Sequence, residues 1–584
     1  MSQTPPVVRP SRAGMYRAGA LLFCLALAVR LAFILQYSSN PSFLIPIVDS
    51  ATYDEVARAL ALGGRVTGNF FWHGALYPLL LSGAYLLTGG SIIAAKIGQA
   101  ILGAFTSVFA WRIGAHLFDE RTGIIAGVVT ALYAPLFFFE TELLATGTAA
   151  FLAAASMLAA LRIRQGMKPL SFAVYGVCAG LSILARATFL PVVAATMLWI
   201  IFHVRERIRP WRRIVLREGL AVAGIAAVLI PIAIISLRVT GLASPLPRSG
   251  SINLYIGNNP DTDRTLMIRP GARWRDLLRT PLLHGYEGEA RYRQYFYDRV
   301  REYVLIRPAS FAGGLARKTA QMLSTRELPR TYDIYTARRY STLLSALVWK
   351  AGRFGFPFGL LLPLALYGLF VHRRRIPAPV WIFLAVYPAA VVLVFVSSRY
   401  RAPMVPVLAA PAAAGAVALA GLGRRPIRRV AASLAVLACL SAAASIPGPW
   451  IMERYEYAAE LHSCVGYQLS LSGRDEEAER ELQTALEIDP MFPAANRLIG
   501  CVLQEQGREE EALDYFERAL ELEPDSYTVH YYLGIALLDH GRLEEGLEHL
   551  RRAAEGAQAN RDAPVYEQVQ RVLAERRDGE GSGR

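Results

Sequence analysis

The stretch Ile47–Leu60 places three acidic side chains, Asp49, Asp54 and Glu55, shortly after the first apolar segment. A carboxylate at a membrane boundary can accept the proton of an attacking hydroxyl group, and burial there raises its pKa towards the range useful for a general base. We therefore predict Asp49 to be a catalytic carboxylate. If 50–61 is a helix, Asp49 is also suited to cap its first turn, and this structural alternative stays open.

A second acidic site follows at Glu140–Thr141–Glu142, between two apolar segments. A carboxylate in such a turn can orient an acceptor, hold a sugar hydroxyl or bind a metal ion. Its alternative is an ordinary solvated turn. We select Glu142 as the assisting carboxylate because it directly precedes the next apolar segment.

Four cationic side chains are candidates for binding an anion. Arg399 and Arg401 stand at the mouth of an apolar segment, where cations are costly unless they meet anions or lipid headgroups. The planar guanidinium group binds phosphate in a bidentate way, so we predict a phosphate site. For this pair, snorkelling to lipid headgroups is the alternative. Arg186 and Lys318 are weaker candidates for the same role.

The composition is that of a polytopic membrane protein. Of 584 residues, 54% are hydrophobic and only 19% are charged, with a mean hydropathy of +0.31. The net charge of +15 comes largely from short basic runs between apolar segments, which is typical of cytoplasmic loops. No basic face with aromatic platforms is present, so nucleic-acid binding is not expected. The five cysteines form no CxxC pair, and no structural metal site is expected.

Apolar length predicts eleven membrane spans. They are 18–36, 93–116, 122–140, 143–162, 170–185, 187–203, 217–237, 355–371, 379–396, 402–421 and 428–446. The run Ala75–Leu87 is short and contains Pro78 and Gly83, so we interpret it as a re-entrant or juxtamembrane helix. With the amino terminus inside, this count leaves the basic loops in the cytoplasm and places Asp49, Glu142, Arg186 and the Arg399–Arg401 pair outside.

Two further regions have their own organisation. Residues 238–350 are too long for a simple connection and are expected to form a small extracytoplasmic subdomain within a transferase region of residues 1–447.

Residues 455–560 repeat with a period of 34, seen in Gly466, Gly500 and Gly534, which predicts an α-solenoid of three tetratricopeptide repeats. Residues 561–584 are expected to be a polar tail. The repeats are expected outside the cytoplasm, and they either bind a protein or serve only packing or dimerisation.

Several motifs in order resemble the type-C glycosyltransferase superfamily, in particular protein mannosyltransferases and the lipid A aminoarabinose transferase (family 39-like). The motifs are Asp49–Tyr53, His73–Pro78, Phe118–Gly123, Glu142, Gly180–Arg186, Asn253–Pro260 and Ser398–Pro403. The resemblance covers about residues 15–420. Relatives usually carry two adjacent prolines where this chain has Gly74 and Ala75, a departure that bears on the choice of donor or acceptor.

The resemblance implies an all-α membrane enzyme that moves a sugar from a polyprenyl-phosphate donor to an acceptor hydroxyl, usually with inversion. It implies that Asp49 is the catalytic acid of the first outer loop. Five further residues are expected in the substrate loops: Tyr53, Asp54, His73, Tyr77 and Asn258. Some relatives use a divalent metal and others use none, so no cofactor is assigned.

The expected partners are the lipid-linked donor, membrane lipids, and a protein acceptor or partner that binds the repeats. The expected location is the bacterial cytoplasmic (inner) membrane, with the active site and the repeats on its outer side. Two alternatives stay open. One is a non-catalytic scaffold that displays the repeats, and the other is a transporter of lipid-linked glycans, although no internal symmetry among the spans favours transport.

Overall fold

The structure, a computed structural model, describes residues 12–207, 211–269, 271–421, 427–446, 448 and 450–581. Parts of the basic runs 205–217 and 424–429 and the last three residues of the predicted tail lie outside these ranges. By their contacts, the residues group into two compact units. Unit 1 comprises 1–39, 52–258 and 303–453, and unit 2 comprises 40–51, 259–302 and 454–584.

The chain is predominantly helical. The helices up to residue 347 are α1 (Arg12–Tyr37), α2 (Asp49–Ala61), α3 (Leu76–Thr88), α4 (Ile92–Leu117), α5 (Glu120–Leu132), α6 (Ala134–Thr141), α7 (Thr146–Gly166), α8 (Pro169–Ala185), α9 (Leu190–Arg207), α10 (Trp211–Thr240), α11 (Gly250–Ile256), α12 (Thr262–Leu266), α13 (Ala272–Leu283), α14 (Glu289–Ile306), α15 (Pro308–Leu323), α16 (Ile334–Ala337) and α17 (Thr342–Leu347).

A short antiparallel hairpin follows, which the all-α prediction did not include. It pairs β1 (Trp349–Ala351) with β2 (Phe354–Phe356). The remaining helices are α18 (Phe358–His372), α19 (Ala378–Val394), α20 (Ser398–Arg401), α21 (Val405–Ala420), α22 (Ile427–Ser445), α23 (Tyr457–Ser470), α24 (Asp475–Ile488), α25 (Pro493–Glu505), α26 (Glu509–Leu522), α27 (Tyr527–Asp539), α28 (Leu543–Ala559) and α29 (Ala563–Gly581).

Several helices of unit 1 have the length and apolarity of membrane spans. Within the described residues these are α1, α4, α7, α10, α22 and the continuous stretch Ser398–Ala420, and the bent pair α5–α6 makes a seventh if it is one span. Shorter apolar helices occupy the predicted spans in α8, α9, α18 and α19, and the run 75–87 in α3. Each predicted span is thus mainly helical, with 355–371 beginning in β2, while the count of eleven crossings stays a prediction.

Small residues let the apolar helices approach closely, as is common where lipid supplies no hydrophobic drive for helix association. A Cβ on Gly114 of α4 would lie 2.8 Å from the Cα of Gly123 on α5. A Cβ on Gly176 of α8 would lie 2.1 Å from the carbonyl oxygen of Ala221 on α10. Substitution of either glycine therefore requires the backbones to separate.

The segment 238–350, expected as one subdomain, is divided between the two units. Residues 238–258 and 303–350 group with the apolar helices, whereas 259–302 group with the repeats. The difference arises because long-range side-chain pairing, which a linear pattern does not reveal, joins 259–302 to the C-terminal helices.

The repeats are three helical hairpins, α23–α24, α25–α26 and α27–α28, followed by α29. A Cβ on Gly466, Gly500 or Gly534 would come within 3 Å of a large side chain on the next helix, which confirms that these glycines permit close packing. A second series with the same period acts differently. Gly473, Gly507 and Gly541 have φ values of +68°, +75° and +83°, so they supply the left-handed turn between the helices. The segment 561–584, expected as a polar tail, is largely helical: α29 begins at Ala563 and ends at Gly581.

Candidate active site

Asp49 is the first residue of α2. It therefore lies in the first turn of the helix, where its carboxylate can also accept from a backbone N–H. Val48, directly before it, has a φ of +50°, and the backbone N–H of Ser50 donates to the Ile47 carbonyl at 3.0 Å. A carboxylate in the first turn is favoured by the positive end of the helix dipole. Asp49 belongs to the 40–51 segment of unit 2, whereas the sites described next belong to unit 1.

Asp54, on the same helix, has both carboxylate oxygens engaged by protein donors. Arg58 Nε donates to one oxygen at 2.8 Å, and the hydroxyl of Tyr85 donates to the other. Asp54 therefore joins α2 to α3. This contact braces the two helices, and a substrate contact of Asp54 stays a prediction.

Three aromatic side chains of the substrate loops lie together. The ring of Tyr53 is 4.9 Å from that of His73 and 4.8 Å, edge-on, from that of Tyr77. The residue after His73 must be small, because a Cβ on Gly74 would lie 2.4 Å from the carbonyl oxygen of Leu184. The loop at His73 is thereby held against the last turn of α8, directly before Arg186.

A hydrogen-bond chain links this aromatic group to Glu142. The hydroxyl of Tyr77 donates to Gln99 Oε1 at 2.9 Å, and Gln99 Nε2 donates to the Glu142 carbonyl at 3.2 Å. Glu142 follows α6 directly and is buried. Its carboxylate accepts from the Tyr37 hydroxyl at 2.9 Å and also interacts with the buried Lys96 and with Tyr332. This carboxylate is therefore fixed in position and has a cation beside it.

Glu140, two residues earlier, serves a different purpose. Its two oxygens accept from Nε and Nη2 of Arg30 at 2.6 Å and 3.3 Å, and both side chains are 1% exposed. Sequence reasoning missed Arg30, although an arginine inside the first apolar span was a signal, since such a charge needs a partner. The pair locks α1 to α6. A Cβ on Gly103 would fall 2.2 Å from Glu140 Oε2, so that glycine leaves room for the pair.

Arg186 and Arg399 lie against the same ring. The guanidinium carbon of Arg186 is 4.6 Å from the centre of the Tyr400 ring, and that of Arg399 is 5.1 Å from it. Arg186 Nη2 donates to Thr146 Oγ1 at 2.7 Å. Its Nε and Nη1 are buried and have no hydrogen-bond partner among the described residues. Leaving buried N–H groups without an acceptor costs free energy, and an anion bound beside them would accept their hydrogen bonds. We call Arg186, Arg399 and Tyr400 the arginine–tyrosine cluster.

Arg401, expected to bind phosphate, is instead taken up by the protein. It is 1% exposed, and its terminal nitrogens donate to the carbonyls of Ser324 and Arg326, each at 2.5 Å. Nη2 also pairs with the buried Glu327 at 2.9 Å. Arg401 therefore holds the 324–327 turn against α20, and we leave it out of the proposed phosphate site.

Lys318 and Asn258 also contact protein groups. The Lys318 amine donates to the Gly257 carbonyl at 3.0 Å, to Asn258 Oδ1 at 2.7 Å and to the Val394 carbonyl at 3.2 Å. Asn258 Nδ2 donates to the Leu393 carbonyl at 2.7 Å. Two of these carbonyls belong to the last turn of α19, which lacks intrahelical donors. Burial, and then the neighbouring Arg317, lower the pKa of Lys318 to about 8. At neutral pH the protonated amine therefore supplies three N–H groups to three acceptors.

The structure thus brings part of the predicted site together. Arg186 of the arginine–tyrosine cluster donates to Thr146, which follows Glu142 closely in the sequence. Glu142 is linked by hydrogen bonds through Gln99 to Tyr77, whose ring lies against Tyr53, and Tyr53 lies against His73. Arg401, Lys318, Asn258 and Asp54 form separate bracing contacts. In the described ranges, no group of three or more His, Cys, Asp or Glu side chains is placed to hold a metal ion.

Two family models match the chain. Residues 73–235 match the dolichyl-phosphate-mannose-protein mannosyltransferases, and residues 472–521 and 497–563 match tetratricopeptide repeats. The chain resembles a type-C membrane glycosyltransferase with C-terminal tetratricopeptide repeats. The glycosyltransferase match includes His73, Tyr77, Glu142 and Arg186, and it begins after Asp49. It confirms the predicted resemblance, and the second match confirms the predicted repeats.

Solved structures give partial likenesses. The oligosaccharyltransferase of Archaeoglobus fulgidus in its apo form has a TM-score of 0.41 and 12% identity, covering 78% of this chain and 58% of that one. This chain thus spans less than two thirds of its length. The Yersinia enterocolitica type III secretion chaperone SycD has a TM-score of 0.18 and 18% identity, over 21% of this chain and 98% of that one. The repeat protein YrrB has a TM-score of 0.18 and 18% identity, over 27% and 74%. No curated protein matches the chain.

Proposed function

We propose that the protein transfers a sugar from a polyprenyl-phosphate donor to an acceptor hydroxyl, with inversion at the anomeric carbon. The match of residues 73–235 to a family named for a lipid-phosphate-linked sugar supports this reaction class. The observation that carries the proposal is the pair of buried N–H groups on Arg186 that have no acceptor within the described structure. A phosphate is the anion that such a reaction must hold.

In this proposal the arginine–tyrosine cluster binds the donor phosphate. Nη2 of Arg186 shares one edge of the guanidinium group with Nε and another with Nη1, so its second N–H can complete a bidentate contact with phosphate on the edge that Thr146 leaves open. Tyr400 keeps the guanidinium groups of Arg186 and Arg399 near one ring, so that two positive charges face one phosphate. This phosphate is a diester with one negative charge in the donor and becomes a dianion when the sugar leaves. As the bond to the sugar breaks, negative charge grows on this phosphate, and the two arginines stabilise it.

Asp49 is the proposed general base, which removes the proton of the acceptor hydroxyl as that oxygen attacks the anomeric carbon. Its support is its place at the start of α2 in the first loop after α1, the place that the family resemblance assigns to the catalytic acid. Tyr53 lies one helical turn further along α2, so both side chains share one side of that helix. Glu142, fixed by Tyr37 and Lys96, is the proposed second carboxylate, which orients the acceptor or a sugar hydroxyl.

The proposed location is the bacterial cytoplasmic membrane, with eleven spans and the active site on the outer side. The distribution of basic loops in the sequence supports this orientation. The repeats then lie outside the cytoplasm, where a protein partner or acceptor can reach them. A reporter fused after residue 581 should be active outside the cytoplasm, and activity inside would reverse the orientation.

Asp49→Asn tests the reaction, with Asp54→Asn as a matched control on the same helix. The full chain, purified in detergent, is given a polyprenyl-phosphate sugar and an acceptor extract from the membrane. We expect Asp49→Asn to lower transfer by at least about a hundredfold, the scale of a general base, while its thermal unfolding is unchanged. Asp54→Asn should retain transfer in the molecules that fold. Full transfer by Asp49→Asn would remove the catalytic assignment, and no transfer by the natural protein would favour a scaffold.

A further inference from the structure

The segment 259–302 interrupts the part of the chain that groups with the apolar helices, yet it belongs to the unit formed by the repeats. We call it the inserted segment. Its first half carries five arginines, at positions 264, 269, 273, 275 and 279. Its contacts with the repeats do not depend on the proposed transfer reaction.

Arg269 makes the first contact between the inserted segment and the repeats. Its Nε donates to Glu460 Oε1 at 2.7 Å, and its Nη2 donates to the other oxygen of the same carboxylate. Its guanidinium carbon also lies 5.0 Å and 5.1 Å from the ring centres of Tyr455 and Tyr457. The arginine is 14% and the glutamate 7% exposed, so this bidentate pair is largely withdrawn from water.

Arg279, ten residues further on, makes the second contact. Its Nη1 donates to the Tyr527 hydroxyl at 3.1 Å and to the carboxylate of Asp562. Tyr527 donates to the same carboxylate at 2.9 Å, so the three groups form a closed triad. Asp562 is 1% exposed and directly precedes α29. The contact therefore also stabilises the beginning of the last helix.

A third contact uses the backbone of the inserted segment. Arg561 Nη1, in the turn between α28 and α29, donates to the carbonyl of Leu282 at 2.7 Å. That carbonyl lies at the end of α13 and also accepts from the backbone N–H of Gly285 at 3.0 Å. The start of α13 is held more loosely, because Arg273 is 70% exposed and 3.8 Å from Glu523. The strong contacts thus lie on either side of the weak one.

The acceptors Glu460, Asp562 and Tyr527 come from different repeats or from the turn after the last repeat. A chain that contacts separate repeats through side chains of its own is arranged as a repeat ligand is, since solenoid repeats present one continuous binding surface. We propose that the tetratricopeptide repeats bind the arginine-bearing part of the inserted segment, Arg269 together with α13 (Ala272–Leu283), as their ligand within the same chain. A protein that uses this face must displace the segment, and it must offer arginines to the same acidic groups.

Hydrogen exchange of the full chain in detergent tests the docking. We compare Arg279→Glu with Arg273→Glu, which makes the same charge change on the same helix at the weak contact. Removing one partner of a buried charge pair is strongly destabilising, so we expect exchange of residues 272–283 and of the start of α29 to rise at least about tenfold in Arg279→Glu. Arg273→Glu should change it by less than about twofold, as for exposed pairs. Equal exchange in the two variants would overturn the proposal.

A peptide of residues 262–286 tests recognition directly. We expect it to bind the full chain that carries Arg269→Glu and Arg279→Glu, in which the segment is released, and to bind the natural protein at least about tenfold more weakly because its face is occupied. The same peptide with both glutamates should bind neither. Equal binding to both proteins, or no binding to the released variant, would show that the segment is not the ligand of the repeats. In the hydrogen-exchange experiment, Arg269→Glu should also raise exchange of the inserted segment, and the added change Glu460→Arg should bring it back to the natural rate. That result would show that the pairing of residues 269 and 460 is specific.

Discussion

Arg186 and Arg401 are the same residue type, and the sequence suggested phosphate binding for both. In the structure, the terminal nitrogens of Arg401 are enclosed by acceptors, namely two carbonyls, the Ser398 hydroxyl and the Glu327 carboxylate, whereas its Nε has no hydrogen-bond partner among the described residues. Arg186 has one hydroxyl acceptor, and two of its nitrogens have none among the described residues. Both side chains carry the same charge, so what separates a bracing arginine from one that can hold a ligand is the supply of protein acceptors at its terminal nitrogens.

The same distinction applies to the carboxylates that stand two residues apart. Glu140 is paired on both oxygens with Arg30, whereas Glu142 accepts hydrogen bonds from tyrosine hydroxyls and interacts with Lys96. The first pair connects two helices. The second arrangement fixes a carboxylate beside a cation, and the backbone carbonyl of the same residue is linked through Gln99 to Tyr77.

The largest expected effect is on stability, for Arg401→Ala. This change leaves Glu327 buried without its cation and should lower the free energy of unfolding by about 3–5 kcal/mol. Thermal unfolding of the full chain in detergent measures it. The double variant Arg401→Met with Glu327→Leu should lose much less, because no charge stays buried. If Arg401→Ala unfolds like the natural protein, the bracing role is refuted.

A smaller effect, on the donor, is expected for Arg186→Ala. Loss of a charged hydrogen-bond donor to phosphate should raise the KM for the polyprenyl-phosphate sugar by about tenfold to a hundredfold, equivalent to about 1.5–3 kcal/mol. Thermal unfolding should change little, since Thr146 is the one acceptor that loses its partner. Arg186→Lys keeps the charge without the planar fork, so its KM should lie between those of the natural protein and Arg186→Ala. An unchanged KM in Arg186→Ala would place the phosphate elsewhere.

The smallest effect concerns two histidines of the last repeat. His530 Nδ1 and His549 Nδ1 are 2.8 Å apart, an arrangement that requires one of them to accept. Burial lowers the pKa of both, assisted by His549 for His530 and by Arg552 for His549. The unfolded chain thus binds protons more readily, so the stability of the repeats should fall as the pH drops below about 6.5.

Unfolding of the full chain, followed by hydrogen exchange in α27 and α28 between pH 7.5 and 5, measures this effect. The variant His530→Gln with His549→Gln should flatten the dependence on pH. A pH profile identical in the two proteins would mean that the histidine pair is not its cause.

Much of the architecture was predictable from the sequence. Apolar length located the helices of unit 1, and the period of 34 located the repeats, including the glycines that pack at Gly466, Gly500 and Gly534. The hairpin at 349–356 and the division of 238–350 were not predicted. The hairpin is a local pairing of Trp349–Ala351 with Phe354–Phe356. The division of 238–350 accompanies pairings between distant segments, such as Arg279 with Asp562, for which the linear pattern carries no signal.

The candidate site divides in the same way. Sequence alone selected the few ionisable side chains that lie next to apolar segments, because charge is costly there and so is rare. Tertiary structure decided which of them are already satisfied. The acceptors of Arg401 come from residues 324–327, the partner of Lys318 is Asn258, and Arg186 meets a single hydroxyl. Whether a cation is available to a ligand depends on the carbonyls and carboxylates that folding brings to it, and these come from parts of the chain far away in sequence.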